Sequence, residues 1–405
     1  MKVLMVSPCD LPVPAVKGGA VATLIESLVI QNETYKQMDL TVISSSDGQA
    51  KEKSKAYQHS DFIFLKTPKF LEYVDSFMNG VIQKIKNTTE SKQYIRKLYV
   101  IYQIRKILKN NSYDRIVFQN SGYLINALRD KKILKKYKNR LYYHLHNDIP
   151  DNVYIPGVLA CDLILISQYL TKKVYNLCGS SVKDRIHIVK NGFNCDYFMQ
   201  TLNTKEKEAL KQSLGISSDK KVILFAGRIV EYKGVVELLD AFMELNRDDC
   251  ILMIVGSHNF GSGETSEFEK KVKSSFSHLG DKVIFTGFVP YDEMWKYYKL
   301  ADAAVFPSMW EEPAGLVMIE AAAAGIPVIT TRSGGIPEYL NHELAIFVER
   351  DANIITNLKN AILEVLNNQK IWEIHAAKAS VFVKNNFSEE IFYQNFVQAL
   401  IKKNL

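Results

Sequence analysis

The sequence predicts an α/β protein of two doubly wound domains, each a parallel sheet with helices on both faces. Short apolar runs alternate with helical patterns, which is typical of parallel sheets covered on both sides. The pattern restarts near residue 220, and 405 residues suffice for two or three domains. Charge divides the chain too: residues 1–195 hold 29 Lys and Arg against 16 Asp and Glu, whereas residues 196–405 hold 22 against 28.

The first domain is expected over residues 1–195, with an anionic partner near it because of its positive balance. A loop, PCDLPVPAVKGGA, separates its first strand from a helical pattern, ATLIESLVI. The predicted strands are KVLMVS (2–7), LTVIS (40–44), FIFL (62–65), DRIVFQN (114–120), LYYHLH (141–146) and DLILIS (162–167).

The second domain is expected over residues 196–387. A terminal segment, 388–405, is predicted to pack back on the first domain as an amphipathic helix capped by Ser388. Because ligands of doubly wound sheets bind outside the carboxyl ends of the strands, two such sheets facing each other would form a cleft lined by loops. The predicted strands are KKVILFAGR (220–228), CILMIVG (250–256), KVIFTGF (282–288), AAVFPS (303–308) and IPVITT (326–331).

Composition excludes several classes of protein. Hydrophobic residues make up 47% and charged residues 23%, as in ordinary globular domains. No stretch approaches the roughly 18 to 20 apolar residues of a spanning helix, and MKVLMVSP is typical of a buried strand rather than a signal peptide. The five dispersed cysteines indicate reduced thiols and neither a disulfide framework nor a zinc site. We therefore expect a cytoplasmic protein.

A basic turn follows the first strand of the second domain. In AGRIVEYKG (226–234), Arg228 and Lys233 lie between a strand and a helix, with Gly227 and Gly234 beside them. Cations at this position suit a diphosphate, because a helix N-terminus adds partial positive charge. The alternative is an ordinary solvated turn.

Two acids flank a short apolar run in EEPAGLVMIE (311–320). Gly315 would let backbone N–H groups approach an anion, and Gly325 would end the helix that follows. Glu312 and Glu320 would stand on the order of 8 to 12 Å apart by helical rise, a span that a nucleotide-sugar could cover. The alternative is a carboxylate favoured by the helix dipole plus a solvent-facing acid.

Together these motifs resemble the C-terminal half of the retaining family-4 glycosyltransferases of the GT-B fold, which has two Rossmann-like domains. The resemblance spans most of residues 220–340 and depends on their order: GRIVEYKG, TGFVP (286–290), EPAGLVMIE, AAAAGIPVI and GGIPEYL. The N-terminal half matches more loosely, through KGGA (17–20) and YYHLHND (142–148).

The resemblance implies a role for each matched residue. Arg228 and Lys233 would bind the donor diphosphate and stabilise the leaving group, and Glu320 would hold the ribose hydroxyls. Glu312 would bind sugar hydroxyls. The remaining donor contacts would come from Gly287, Phe288 and Val289 at the base, from the amides of Gly315 and Leu316, and from Gly18 and Gly19 in the first βα loop.

The resemblance also implies a histidine that contacts the transferred sugar near its 6-position. His146 is the candidate, whereas for His144, two residues earlier on the same strand face, we favour a structural role. Fixed cations would stabilise the departing phosphates, a departing phosphate oxygen would take the acceptor's proton, and Glu312 is not assigned as a nucleophile. No acidic cluster stands in a fitting loop, so neither a metal nor another cofactor is expected, and Asp302 is expected to be structural.

Basic segments of the first domain suggest a partner. Residues 81–110 hold eight Lys and Arg against Glu90, and residues 129–140 hold seven against Asp130. Apolar residues lie between these charges, and two interpretations are open. The segments form either a basic face that lies on anionic lipid at the inner side of the membrane, or a solvated helix with a buried apolar stripe. A nucleic-acid partner is not expected, because no binding module is recognisable.

The sequence leaves three functions open. The first is a glycosyltransferase that transfers a sugar from a nucleotide-sugar to a glycan or lipid-linked acceptor. The donor that we expect first is a UDP-hexose. The second keeps the fold but is an epimerase or a phosphorylase. The third is a non-catalytic partner subunit, which the presence of Arg228, Lys233, Glu312 and Glu320 argues against.

Overall fold

The computed structural model describes residues 1–86, 94–150, 153–258 and 265–401, and it divides the chain into two compact units. The first unit comprises Met1–Ile166, Leu170–Val189 and Tyr393–Leu405. The second comprises Ser167–Tyr169 and Lys190–Phe392. In the described part of the chain, every helix is too short or too polar to span a bilayer.

The first unit is built on a seven-stranded parallel sheet in the order β3-β2-β1-β4-β5-β6-β7. Its strands are β1 Lys2–Val6, β2 Asp39–Ser45, β3 Ser60–Leu65, β4 Arg115–Gln119, β5 Leu141–Leu145, β6 Asp162–Leu165 and β7 Ile186–Ile188. Its helices are α1 Ala20–Tyr35, α2 Gly48–Ser54, α3 Lys69–Lys86, α4 Tyr94–Asn110, α5 Lys131–Lys136 and α6 Ile155–Val158, followed by α7 Gln168–Cys178, whose first two residues belong to the second unit.

The second unit is built on a six-stranded parallel sheet in the order β10-β9-β8-β11-β12-β13. Its strands are β8 Lys221–Ala226, β9 Cys250–Val255, β10 Val283–Gly287, β11 Ala303–Phe306, β12 Val328–Thr331 and β13 Ile346–Val348. Its helices are α8 Cys195–Met199, α9 Thr204–Ser213, α10 Val235–Leu245, α11 Glu267–Ser275, α12 Met294–Leu300, α13 Leu316–Ala323, α14 Ile354–Asn367 and α15 Gln369–Phe387.

The two parallel sheets and their helices confirm the predicted fold class. The interior strands are apolar along their whole length because both faces are covered: β9, for example, is buried at every residue. In the second unit Leu238 of α10 and Leu358 of α14 pack in one core with Ile223, Leu252 and Val305 of the sheet. Two strands escaped prediction, β7 and β13, since three residues are too few to show a period.

The last helix, α16, spans Glu389–Ile401, and Ser388 Oγ accepts a hydrogen bond from the Ile391 N–H at 3.4 Å, which confirms the predicted cap. From Tyr393 onward it belongs to the first unit. Tyr393 Oη donates to Asn32 Oδ1 at 2.8 Å, and Arg115 Nε donates to the Leu400 carbonyl at 2.7 Å. One buried and one partly buried polar contact thus fix this helix to the first unit.

Candidate functional site

The strand order places the candidate loops of the second unit at the centre of its sheet. β8 pairs with β9 on one side and with β11 on the other, so successive strands are added in opposite directions across the sheet on the two sides of β8 and β11. Ligands of doubly wound sheets bind at such a switch point, outside the carboxyl ends of the strands. The loop after β8 carries Arg228 and Lys233, and the loop after β11 carries Glu312.

The basic turn reaches the β11 loop through a close backbone contact. Lys233 ends a short 3₁₀ turn, Glu231–Lys233, and Gly234 follows at φ 71°. A Cβ at Gly234 would lie 1.9 Å from the Pro307 carbonyl oxygen, so only glycine permits this approach. The Met309 N–H also donates to the Tyr232 carbonyl at 2.9 Å. These contacts hold Lys233 beside the loop that contains Glu312.

Lys233 and Glu312 form an ion pair. Lys233 Nζ donates to Glu312 Oε1, and Ser308 Oγ donates to the same oxygen at 3.0 Å. Glu312 is only 7% exposed, and the ammonium lies 5.8 Å from the centre of the Trp310 ring. The sequence predicted that both residues bind a donor but gave no indication that they contact each other.

Arg228 is exposed and makes a different contact. Its Nη2 donates to Tyr232 Oη at 2.6 Å, and the Tyr232 ring packs edge-on against Trp310 at 5.3 Å. An aromatic pair therefore lies between the two cations of the turn. Sequence reasoning missed Tyr232, inside GRIVEYKG, and Trp310, directly before EEPAGLVMIE, because composition does not report where a ring points.

A glycine pair braces the loop of Glu312. The Gly335 N–H donates to the Glu312 carbonyl at 2.7 Å, and the Gly334 N–H donates to Glu311 Oε2 at 2.5 Å. Gly334 has φ 52°, and a Cβ there would lie 2.1 Å from the Glu312 carbonyl oxygen. Glu311 also pairs with Arg350. The motif GGIPEYL thus fixes the backbone that carries Glu312.

Gly315 and Leu316 start helix α13, as expected. Gly315 lies in the left-handed region at φ 86°, and Leu316 is the first residue of the helix. The first N–H groups of a helix have no partner inside it and carry partial positive charge. Gly325, at φ 73°, follows the end of the helix, which confirms the predicted stop. This N-terminus can therefore bind an anion or a hydroxyl oxygen.

Glu320 is buried inside the second unit, so the alternative of a solvent-facing acid is wrong. It is 7% exposed and accepts a hydrogen bond from Tyr298 Oη at 3.2 Å. Burial raises the pKa of Glu320 to about 7, although the Tyr298 hydroxyl favours the charged form. Tyr298 escaped the sequence analysis, since nothing in its neighbourhood along the chain marks it as a partner of Glu320.

The stretch predicted to hold a base ends strand β10. Gly287 lies in the left-handed region at φ 74°, and its carbonyl accepts the Gly256 N–H at 2.8 Å. That carbonyl is thus already engaged within the second unit. Phe288 is exposed and Val289 is half-buried, so an aromatic face is accessible at this end of the sheet.

In the first unit Gly18 and Gly19 come directly before helix α1, at φ 71° and 96°. The loop that leads to them is anchored by Glu26, whose carboxylate accepts the Ala15 N–H at 2.8 Å and the Tyr57 hydroxyl at 2.7 Å. The N-terminus of α1 is therefore held at the carboxyl end of β1, which is the switch point of this sheet.

His146 follows strand β5 and is held by two neutral amides. Its Nε2 lies 3.1 Å from Gln119 Oε1, and Asn120 Oδ1 accepts the N–H groups of His146 and Asn147 at 2.9 and 3.1 Å. Because an amide oxygen only accepts, the contact with Gln119 places a proton on Nε2. Gln119 and Asn120 were predicted only as strand residues.

His144 is fully buried, and its ring centre lies 4.1 Å from that of His146 and 5.6 Å from that of Phe396. Burial lowers the pKa of His144 well below its usual value, so the ring is neutral. This environment favours the structural role. Asp302 is structural as well, because its Oδ2 accepts the Val222 N–H at 2.8 Å.

Residues 206–385 match a family model described as glycosyl transferases group 1. The chain is 31% identical over 314 residues to a lipopolysaccharide 1,2-N-acetylglucosaminetransferase of Salmonella typhimurium, covering 74% of this chain and 76% of that protein. It is 34% identical over 192 residues to an uncharacterized glycosyltransferase of Methanocaldococcus jannaschii, and that match spans about half of each protein, 47%.

A solved structure, the Anabaena protein HepE in complex with UDP and glucose, is similar over the whole length of both chains. The TM-score is 0.72, the sequence identity is 19%, and the likeness covers 100% of each chain. At that identity the likeness concerns the fold alone.

Proposed function

The chain belongs to the glycosyl transferases group 1 and has the GT-B fold, and on that premise we propose that it transfers a hexose from a nucleotide-sugar with retention of anomeric configuration. The donor is proposed to be a UDP-sugar. The acceptor is a sugar, a lipid-linked sugar or a polymer, in the synthesis of a cell-surface polysaccharide or glycoconjugate.

The observation that carries this proposal is the ion pair of Lys233 and Glu312 at the switch point of the second sheet. A diphosphate would compete for the Lys233 ammonium, since it offers two negative charges in place of one. Loss of that partner would leave the Glu312 carboxylate, still held by Ser308, to accept hydrogen bonds from sugar hydroxyls. When the diphosphate takes Lys233 and the sugar hydroxyls take Glu312, these two side chains would bind the phosphate side and the sugar side of the bond that breaks.

Catalysis would follow from charge. Departure of the nucleoside diphosphate builds negative charge on its phosphate oxygens, which Lys233, Arg228 and the first amides of α13 would stabilise. The proton of the acceptor hydroxyl would pass to a departing phosphate oxygen, so Glu312 need not attack the sugar. This assignment leaves Glu312 as a binding group whose contacts strengthen as the sugar becomes cationic.

Support for UDP comes from the neighbours. The Anabaena structure contains UDP and glucose, and the Salmonella relative is named for N-acetylglucosamine transfer. In this chain the ribose would bind Glu320. Its two hydroxyl groups would donate hydrogen bonds to the carboxylate and so favour the ionised form. The base would lie against the backbone of Gly287 and Val289 and the exposed ring of Phe288.

The first unit would supply the remaining contacts. The ring of His146, whose Nε2–H is engaged by Gln119, would contact the transferred sugar near its 6-position. The amides at Gly18 and Gly19 would approach the phosphates or the acceptor. We further propose that transfer needs no metal, because no acidic cluster stands in a fitting loop of the sequence; activity should therefore persist in excess chelator.

The test is a thermal-shift screen of UDP-, GDP- and ADP-sugars beside the bare nucleotides, followed by transfer and hydrolysis assays with the radiolabelled donor. Arg228→Ala and Lys233→Ala should each weaken UDP binding by about 1 to 3 kcal/mol, as expected for a lost charge-assisted contact. Lys270→Ala, at an exposed lysine of α11, is the matched control. Normal UDP affinity in both site variants would refute the assignment of the basic turn.

The same assays separate the alternatives. Nucleotide binding without transfer or donor hydrolysis would indicate a non-catalytic partner subunit. Isomerisation of the donor sugar would indicate an epimerase, and phosphate-dependent cleavage of a glycan would indicate a phosphorylase.

A further inference from the structure

Helix α3 of the first unit has its polar residues inside and its large apolar residues outside. Asp75 and Asn79 are 5% and 8% exposed, whereas Phe70, Tyr73 and Phe77 are 72%, 72% and 68% exposed. The three rings are spaced i, i+3 and i+7, so they lie on one face of the helix. A helix that packs on a core in water has the opposite arrangement.

The buried polar face of α3 has a structural reason. The Asp75 carboxylate accepts the N–H groups of Ile95 and Arg96 at 2.9 and 2.7 Å, in the first turn of α4. It therefore caps α4 and offsets the partial positive charge of that helix N-terminus. Since this face must contact α4, the aromatic face of α3 points to solvent, where nothing in the described part of the chain covers it.

Helix α4 presents a second apolar stripe to solvent. Its inner face buries Val100, Ile104 and Leu108 in the first unit. Leu98 and Tyr102, spaced i and i+4, are 66% and 60% exposed on another face. Helix α4 therefore has the buried stripe that one interpretation of this basic segment expects, and it also has an exposed apolar stripe, while contact with lipid stays a prediction. Two packed helices each expose large apolar side chains that the fold does not use.

Charge around these stripes is positive. Lys66 and Lys69 are exposed at the start of α3, and Lys106 is exposed on α4. Glu72 is the exposed acid of α3, and by helical rotation it lies well away from the ring stripe. Side chains at 80–86 and residues 87–93, which include Lys84, Lys86, Glu90 and Lys92, lie outside the described residues. In the second predicted segment Lys136 instead donates to the carbonyls that end α4, so it has a structural role.

We propose that α3 and α4 dock this protein on an anionic lipid bilayer through Phe70, Tyr73, Phe77, Leu98 and Tyr102. Rings of this kind lie in the interfacial region, with their apolar bodies in the acyl boundary, while the neighbouring lysines contact anionic headgroups. A bilayer fits better than a protein partner because both helices expose apolar stripes bordered by cations, which a lipid surface satisfies without a shaped complement. The proposal does not depend on the donor chemistry.

The test is flotation of the full chain with vesicles of phosphatidylcholine, alone or mixed with phosphatidylglycerol. Binding to the anionic vesicles is expected, and the triple variant Phe70→Ser, Tyr73→Ser, Phe77→Ser should lower the partition coefficient by on the order of tenfold or more. The pair Lys66→Glu, Lys69→Glu should weaken binding to the anionic vesicles by several-fold and make it less salt-dependent.

The matched control lies on α15 of the second unit, where Ile371, Ile374 and Val381 are also large, apolar and exposed. Their triple serine variant should bind vesicles as the wild type does. Because all the substituted side chains are exposed, the thermal midpoint should change little in every variant. Donor hydrolysis in the absence of lipid should remain at the wild-type rate.

Three outcomes would overturn the proposal. The first is wild-type protein that stays unbound in the presence of anionic vesicles. Equal loss of binding in both triple variants would indicate non-specific hydrophobic adsorption. A wild-type dimer in solution that the α3 variant converts to monomer, without vesicle binding, would assign the stripes to a second copy of the chain.

Discussion

The two units hold their candidate residues by different means. In the second, opposite charges are paired with each other: Lys233 with Glu312, and Arg350 with Glu311. In the first, the neutral side chains of Gln119 and Asn120 orient His146. A competing anion can displace the carboxylate from a paired cation. A network of neutral amides positions a ring but contains no ion pair that a ligand could displace. Substitutions in the second unit should therefore have the larger effects.

The largest effect is expected from Glu312→Ala. The variant should lose transfer by about 100-fold or more, which corresponds to about 3 kcal/mol of transition-state binding. UDP affinity should survive, because Lys233 loses a competitor and gains freedom to bind the diphosphate. Radiolabelled transfer and calorimetric titration with UDP measure the two properties. Glu343→Ala, at an exposed acid of the same unit, is the control; unchanged turnover in Glu312→Ala would remove Glu312 from the site.

A pair of glycine variants tests whether the loop of Glu312 is braced as described. Gly334→Ala should destabilise the fold by about 3 kcal/mol, for two reasons. The added Cβ would clash with the Glu312 carbonyl, and alanine is strained at the positive φ of this position. Gly325 has a similar φ of 73° but open space around its Cβ, so Gly325→Ala should cost only about 1 kcal/mol. Chemical denaturation compares them. Equal costs would mean that the contact with Glu312 contributes nothing.

The raised pKa of Glu320 predicts that the stability of the second unit depends on pH. Its pKa is about 7 in the folded state, above the ordinary 4.5, so the folded state binds the proton more tightly. This contribution to stability should therefore be fully present below about pH 4.5 and be lost as the pH rises through 7, by about 3 kcal/mol in all. In Glu320→Gln this loss should vanish. Melting curves from pH 5 to 8 check it, with Glu343→Gln as the control; parallel curves for wild type and Glu320→Gln would contradict the prediction.

The smallest effect is expected in the first unit. Gln119→Leu removes one neutral hydrogen bond to His146 and should lower kcat by about fivefold, or about 1 kcal/mol. The thermal shift induced by UDP should stay, because the second unit is untouched. Gln119→Glu, which keeps an acceptor oxygen at the same reach, should restore most of the rate. A UDP shift that falls together with kcat would indicate general damage rather than loss of orientation.

The comparison of the units also shows which features of the candidate sites can be predicted from sequence patterns. The motifs located Lys233 after β8 and Glu312 before α13, because local spacing fixes which loop a residue occupies. They did not reveal that the two side chains touch, since 79 residues separate them and only the pairing of β8 with β11 brings them together. For the same reason Tyr298 as the partner of Glu320, 22 residues away, could not be anticipated.

By itself the sequence determined the two parallel sheets, the order of their elements and the loops that carry the candidate residues, because hydrophobic periodicity and glycine positions are local properties. The tertiary structure decided which charges are paired, that Glu320 is buried, and that α3 turns its aromatic face outward. Those features depend on what each side chain meets across the fold. Asp75, for example, caps α4 from 20 residues away, and that single contact sets which face of α3 is left to solvent.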